Sequence, residues 1–320
     1  MKIKDIYEGA IKQGIAKDPR GKREVEEELK RAKKEFQKLK GKEKEEFDRE
    51  RLTNPYSDTR ILYGEPARKV KKVLVGIDIE VGELLLADRL RERTGCDLVI
   101  AHHPEGRAMA TLYEVMHMQA GILHKQGLPI HIGEDLMDER IKEVERRLMP
   151  ANHTRAVDVA RLLDIPFMCI HTPADNCAAT YLQTLFDKEE PRYVSDILDI
   201  LHDIPEYKEA KATAFGPRII VGSKKRRAGK VFVDMTGGTS GNKRLYEGLS
   251  RAGVGTIVGM HMSEDHRKEA QKHHLNVVIA GHIASDNLGM NLLFDAIFTE
   301  DVEVMECSGF RRIKRKRARR

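Results

Sequence analysis

Apolar residues alternate along this chain in two rhythms. Val25, Leu29, Ala32, Phe36 and Leu39 are spaced 4, 3, 4 and 3. That spacing predicts one face of a helix, ended by Gly41 before a coiled coil could form. Glu26–Lys30 and Glu27–Arg31 are i,i+4 pairs that would support it. Thr53 to Pro66, with two prolines and a glycine, reads as a linker. From Lys71 onward short β-branched runs take over: KVLVGID (72–78), DLVIA (97–101), LPIHI (128–132), PFMCIHT (166–172), RIIVG (218–222), KVFVD (230–234), GTIVGM (255–260), NVVIAG (276–281) and DVEVMEC (301–307). KVLVGID reads as a buried strand and the others as strands, with LPIHI and DVEVMEC as strand candidates. Helical stretches are predicted between them: up to about Arg93, Arg107–Lys125, from about Leu136, Arg155–Leu163, Asn242–Ala252, Glu264–His273 and Leu288–Phe298. Strands alternating with helices imply an α/β protein with largely parallel sheets flanked by helices. Two such series, joined somewhere in Lys188–Lys211, imply two α/β domains behind an N-terminal helical extension. The expected boundaries are 1–65 for the charged helical extension and linker, 66–190 for the first α/β domain, completed by 283–310, and 191–282 for the second. A basic tail, 311–320, closes the chain.

Charge refines this division. The 320 residues carry a net +6, which taken alone suggests a nucleic-acid binder. Yet eight basic side chains sit in the last ten residues, and Lys17 to Arg51 holds 14 basic and 11 acidic residues. Removing both segments leaves a net −5 on the other 275 residues. The body is mildly acidic, and its appendages are basic. The tail FRRIKRKRARR could touch phosphates, but no aromatic is interleaved to stack bases. A solubilising tail is the favoured reading over a nucleic-acid contact. No apolar run approaches the roughly 18–20 residues of a membrane span. The start, MKIKDIYEGAIK, has no apolar core or cleavage site, so the expected location is cytoplasmic. Cys96, Cys169, Cys177 and Cys307 form no Cys-x-x-Cys pair, so free thiols are expected rather than a zinc finger or a disulfide framework.

Ligands in such sheets bind beyond the carboxyl ends of the strands. Three strand ends here carry reactive side chains. His102-His103 follows DLVIA, and two adjacent imidazoles suit two neighbouring metals better than one. His171-Thr172-Pro173-Ala174-Asp175-Asn176 follows PFMCI, where Asp175 serves either as a helix N-cap or as a ligand. Gly281-His282-Ile283-Ala284-Ser285-Asp286 follows NVVIA. His282 and Asp286 lie one helical turn apart, able to share a metal or to cap a helix. Jointly, the nitrogen and oxygen donors suit a two-metal cluster with open positions rather than one structural zinc. Zinc, iron, manganese or cobalt all accept such donors. Gly237, Gly238 and Gly241 form a turn after KVFVD that either seats a phosphate on its amides or is a tight structural turn. No Gly-x-Ser-x-Gly elbow supports a serine hydrolase.

AHHP (101–104), TPADN (172–176) and GHIASDNLG (281–289) resemble the three ligand motifs of the NIF-three-like family, also called the GTP cyclohydrolase I type 2 family. MTGGTSGNK (235–243) resembles its glycine-rich turn, and the resemblance runs from about Val70 to Cys307. It implies a dinuclear metal site between two α/β domains, held by His102, His103, Asp175, His282 and Asp286. It also implies a toroidal homohexamer and a metal-dependent hydrolase, whose substrate would be small and nucleotide-like. The alternative is a non-catalytic metal-binding or regulatory scaffold. His266 matches a histidine of the family pocket and is the first candidate acid/base, with Glu105 second. Two departures stand out. The family usually has glutamate where Asp286 stands, and an apolar residue where Glu105 follows His-His-Pro. The shorter Asp286 puts bridging of both metals in question.

Overall fold

The computed structural model describes residues 1–299 and 301–315. The helices are α1 (Ile3–Ala16), α2 (Lys22–Lys38), α3 (Gly41–Glu46), α4 (Val81–Thr94), α5 (Gly106–Ala110), α6 (Leu112–Val115), α7 (Met118–Gln126), α8 (Ile130–Leu148), α9 (Arg155–Leu162), α10 (Thr172–Glu189), α11 (Val194–His202), α12 (Pro205–Ala212), α13 (Leu245–Arg251), α14 (Glu264–Lys272) and α15 (His282–Ile297). The strands are β1 (Arg60–Tyr63), β2 (Lys72–Gly76), β3 (Leu98–Ala101), β4 (Phe167–Cys169), β5 (Arg218–Val221), β6 (Lys230–Asp234), β7 (Val254–Gly259), β8 (Asn276–Ile279) and β9 (Glu303–Cys307). They form two mostly parallel sheets, ordered β1-β4-β3-β2-β9 and β5-β8-β7-β6. The edge strands β1 and β5 run antiparallel to β4 and β8. The last strand, β9, returns to pair with β2. Among the described residues no helix is long and apolar enough to cross a membrane.

Two helices join the sheets. Ala174 and Cys177 of α10, with Met290, Leu293 and Phe294 of α15, pack in one core with Val73, Val75, Ile100 and Met168 of the first sheet. Ala178, Leu182 and Phe186 of α10, with Ala284 and Leu288 of α15, pack in a second core with Val231, Val233, Val258 and Val278. Each helix is thus apolar on two sides and sits between two β surfaces, as an all-round buried helix must.

Eight of the nine expected strands form at or near the expected positions. LPIHI is instead the start of α8. Pro129 (φ −55°) sets the first turn, and the buried stripe Gly133, Met137, Ile141, Val144 is helical in period. Ile130 and Ile132, the alternating residues that suggested a strand, are left exposed. The predicted helix Arg107–Lys125 is broken into α5, α6 and α7. The Thr111 carbonyl accepts from Ser57 Oγ (2.7 Å), which draws it toward the 53–66 segment.

That segment is no simple linker. Asn54, Tyr56, Ser57, Asp58, Thr59 and Arg60 are buried, and β1 lies within it. Its polar groups are paired internally: Asn54 Nδ2 donates to the Thr59 carbonyl (2.9 Å), and Arg60 Nε to that of Ser57 (2.9 Å). Before it, α1 sets Ile3, Ile6 and Ala10 into the first sheet's core. In α2 the predicted stripe faces inward through Val25 and Ala32. Lys30 there pairs with Glu27, three residues back, rather than with Glu26.

The first half of the basic tail is docked rather than solvated. Arg312 pairs with Asp295, and Arg315 Nη2 lies 2.7 Å from Glu206 Oε2. Residues 316–320 of the tail lie outside the described residues.

Candidate metal centre

The three motifs converge because β3 and β4 of the first sheet and β8 of the second end at one place. β3 delivers His102 and His103. β4 delivers His171 at the head of α10, one turn before Asp175. β8 delivers His282 at the head of α15, one turn before Asp286. Gly281 makes the β8–α15 bend with φ 113°, where a Cβ would stand 2.9 Å from the Phe215 carbonyl oxygen. Glycine tolerates both the positive φ and the close approach.

Two adjoining sets of donors result. His102 Nε2 lies 3.4 Å from Asp175 Oδ1 and 3.5 Å from Asp286 Oδ1. His103 Nε2 and His282 Nε2 lie 3.6 and 3.7 Å from the other oxygen, Asp286 Oδ2. These spacings exceed charge-assisted hydrogen bonds, which run about 2.7–2.9 Å. They match the edge of a tetrahedron whose centre is about 2.0–2.2 Å from each donor, roughly 3.3–3.6 Å. His102 Nε2, Asp175 Oδ1 and both Asp286 oxygens are buried with no hydrogen-bond partner. Four unsatisfied buried donors facing one another fit a cation, since leaving such groups unpaired is costly.

The outward nitrogens are fixed. His102 Nδ1 bonds the Ile170 carbonyl (3.0 Å), which places a proton on Nδ1 and turns Nε2 inward. His103 Nδ1 bonds Asp78 Oδ1 (2.6 Å). His171 Nδ1 bonds Asp58 Oδ2 (2.8 Å), which also accepts from Thr172 Oγ1 (2.6 Å). Such carboxylate and carbonyl partners orient metal-ligating imidazoles. Burial pushes the His102 imidazolium pKa down, but the Asp286 and Asp175 carboxylates outweigh it and hold the pKa well above 6.5. The site attracts positive charge even from a proton. For His103 burial dominates and lowers the pKa, aided by His102 and His171.

His171 was named in its motif but not assigned as a ligand, and Asp58 and Asp78 were not singled out from sequence. His171 stands within ligand distance of His102 and His103, its Nε2 3.7 Å from Asp175 Oδ2. Its one-turn spacing from Asp175 repeats that of His282 and Asp286, and that repetition was the available signal. Asp78 ends the run KVLVGID, so its position at a strand end was the available signal; Asp58 lies far away in the chain and carried none.

The cluster opens into a cleft with about 670 Å³ of space, part of it open to solvent, walled by the glycine-rich turn, Asp234, Tyr246, His261 and His266. The turn is held by its carbonyls. Gln119 Nε2 donates to those of Gly237 and Thr239 (both 2.6 Å), Arg140 Nε to that of Ser240 (3.0 Å) and His266 Nε2 to that of Gly241 (3.0 Å). Among the described residues, the amides of Gly237 to Gly241 donate to no protein acceptor. Thr236 Oγ1 donates to Asn176 Oδ1 (2.6 Å), tying the turn to α10. His266 lines the cavity with both ring nitrogens engaged, Nδ1 on Ser263 Oγ at 2.7 Å. Glu105 caps α5 outside this cavity, and burial beside Glu80 pushes its carboxyl up to about 7. The four cysteines are free.

No family model matches the chain, and no curated protein does. Solved structures do. A NIF3 superfamily protein from Sphaerobacter thermophilus shares 30% identity and a TM-score of 0.69, over 79% of this chain and 92% of that one. Reduced HcgD from Methanocaldococcus jannaschii is more distant, at 15% identity and a TM-score of 0.46, over 77% and 87% of the two chains. A Bacillus cereus protein related to NIF3 shares 12% identity with a TM-score of 0.40, over 78% and 89%. At the identity and coverage of the Sphaerobacter protein, the chain belongs to the NIF3 superfamily.

Proposed function

We propose that this protein is a dinuclear metal-dependent hydrolase acting on a small, nucleotide-like substrate. The observation that carries the reading is Asp286, whose two buried oxygens face different imidazole sets, so that one carboxylate could serve two cation positions. His102, Asp175 and Asp286 Oδ1 would hold one ion, and His103, His282 and Asp286 Oδ2 the other. Zinc, iron, manganese or cobalt would supply Lewis-acid polarisation of the scissile group. The protein's own part is orientation. Asp58, Asp78 and the Ile170 carbonyl hold the imidazoles, and the free amides of the 237–241 turn offer hydrogen bonds to an anionic group entering the cavity. His266 anchors that turn, and would transfer a proton only after releasing Gly241. Glu105 is the second candidate for proton transfer. The division of the chain at 65, 190, 282 and 310, the homohexamer and the cytoplasmic location belong to the same proposal.

The test is metal analysis joined to turnover. Purified protein should hold two transition-metal ions per chain. Chelation should abolish hydrolysis across a panel of purine nucleotides and phosphate esters, and metal should restore it. His102→Ala should lose both metal and turnover. Bound metal without any turnover would leave a metal-binding scaffold, and no stoichiometric metal would end the proposal.

A further inference from the structure

A second, larger groove reaches the same centre from another direction. It has about 1510 Å³ of open space and meets the polar cavity at Met260, His261 and His282. Its walls are of a different kind. Ala210, Ala214, Phe215, Ile279, Ile283 and Ile313 line it. Phe215 is 76% exposed and Ile283 41%, although Ile283 directly follows a candidate ligand. Ala214, with φ 65°, holds the bend beyond α12 that presents Phe215. A non-glycine residue in the left-handed region is costly, and such strain collects at functional sites.

Charge on the rim is unbalanced. Arg218 donates to the Ala214 carbonyl and Arg311 to the Phe310 carbonyl (2.8 Å), and among the described residues neither has a carboxylate within ion-pair distance. Glu206 is taken by Arg315 and Asn291. Glu209 shares the rim and pairs with neither guanidinium. An apolar groove with two guanidinium groups free of carboxylates is complementary to an organic anion with an apolar or aromatic body.

We propose that this groove is the specificity subsite of the metal centre, and that it takes the apolar or aromatic body of an anionic substrate whose reacting bond lies at His282. The inference rests on the function proposed above and adds the substrate's chemical class. Phe215 and Ile283 are specificity residues that touch the substrate body, and Arg218 holds its anionic group.

The probe is 8-anilinonaphthalene-1-sulfonate, a small aromatic anion, titrated by fluorescence into the cobalt-reconstituted full chain. Wild type should show one saturable site per chain. Phe215→Ala, Ile283→Ser and Arg218→Ala should each weaken it about tenfold, roughly 1.4 kcal/mol, with the cobalt spectrum unchanged. Absent binding, or equal binding by all three variants, overturns the subsite. If Phe215→Ala changes the sedimentation coefficient and not probe binding, the face lies between copies of the chain, and the subsite is again overturned. Failure of cobalt binding in wild type would instead strike the metal proposal, and the probe titration would still report on the groove.

Discussion

The crossing of α10 and α15 sets the spacing of the candidate metal centre, and Gly289→Ala tests this. A Cβ on Gly289 would lie 2.8 Å from the Ala174 carbonyl carbon and closer still to its oxygen. Ordinary contact begins near 3.4 Å, so the helices must part by at least 0.6 Å, the difference of the two. Ala174 precedes Asp175, and Gly289 lies three residues after Asp286, on the same helix face. The displacement therefore passes to the two carboxylates that stand 3.4 and 3.5 Å from His102 Nε2. Overpacking costs about 1–3 kcal/mol. Alanine in place of glycine returns about 1 kcal/mol of helix propensity. The metal-free variant should be destabilised by about 1 kcal/mol in urea unfolding. Its cobalt affinity, measured against a competing chelator, should fall about 10- to 100-fold, the range for disturbed support of a metal site. A variant that binds cobalt within twofold of wild type and is stabilised by about 1 kcal/mol would refute the reasoning.

Arg315→Ala leaves Glu206, whose side chain is 1% exposed, with Asn291 as its only donor among the described residues. Urea unfolding should show a loss of roughly 2–3 kcal/mol, below the 3–5 of a fully buried pair because Arg315 is partly exposed; adding Glu206→Gln should recover most of it. Asp58→Asn removes the charge that orients His171 and Thr172. Zinc or cobalt affinity should fall at least tenfold while the metal-free fold persists, and unchanged affinity would show that His171 needs no such support. Asp234 is open to solvent at the end of β6, yet desolvation by the surrounding cavity wall pushes its carboxyl up to about 6. The folded state thus holds this proton more tightly than the unfolded chain, and stability falls as pH rises from about 4 to 6. Asp234→Asn should remove that loss and gain about 1 kcal/mol at pH 7 but little at pH 4, after screening at the cavity wall; an equal effect at both pH values counts against it.

Most strands were legible because their runs are apolar or β-branched and bounded by turns, β5 and β9 included although they are only partly buried. LPIHI misled because three alternating apolar residues precede a helical stripe that extends far longer, and Pro129 fits either a strand edge or a first helical turn. β1 (RILY) was illegible because its neighbours look like surface. Asn54, Asp58 and Arg60 are polar residues whose partners come from within the segment or from His171, Thr172 and Asp48. Pairing made at long range leaves no local trace. The candidate site was more legible, since parallel strands bring their ends together whatever lies between. His102, His103, Asp175, His282 and Asp286 meet for that reason. Asp58 arrives from an antiparallel edge strand's leading segment, which strand-end reasoning does not reach.

The basic appendages also have a structural account. Arg20 pairs with Asp18 and Glu28, Arg60 with Asp48 and Glu50, Arg312 with Asp295 and Arg315 with Glu206. Arg312 and Arg315 thus spend part of the tail's cationic excess on the body, whereas the partners of Arg20 and Arg60 all lie within the 18–50 segment. The tail segment that does so also supplies Arg311 and Ile313 to the apolar groove.

The substitution of aspartate for the family's usual glutamate now has a physical reading. A carboxylate shortened by one methylene reaches two cation positions only if its helix stands closer to them. Gly289 provides that closeness, since no side chain separates α15 from the Ala174 backbone at the crossing. Ser285, beside Asp286, is held by the Gly281 carbonyl (2.6 Å) and the Tyr207 hydroxyl (2.9 Å), which fixes the first turn of α15. Asp286 itself is 1% exposed, so it cannot gain reach by swinging through solvent. The oxygens are placed by backbone position rather than by side-chain freedom, which makes the helix crossing as much a part of the candidate metal centre as its proposed donors.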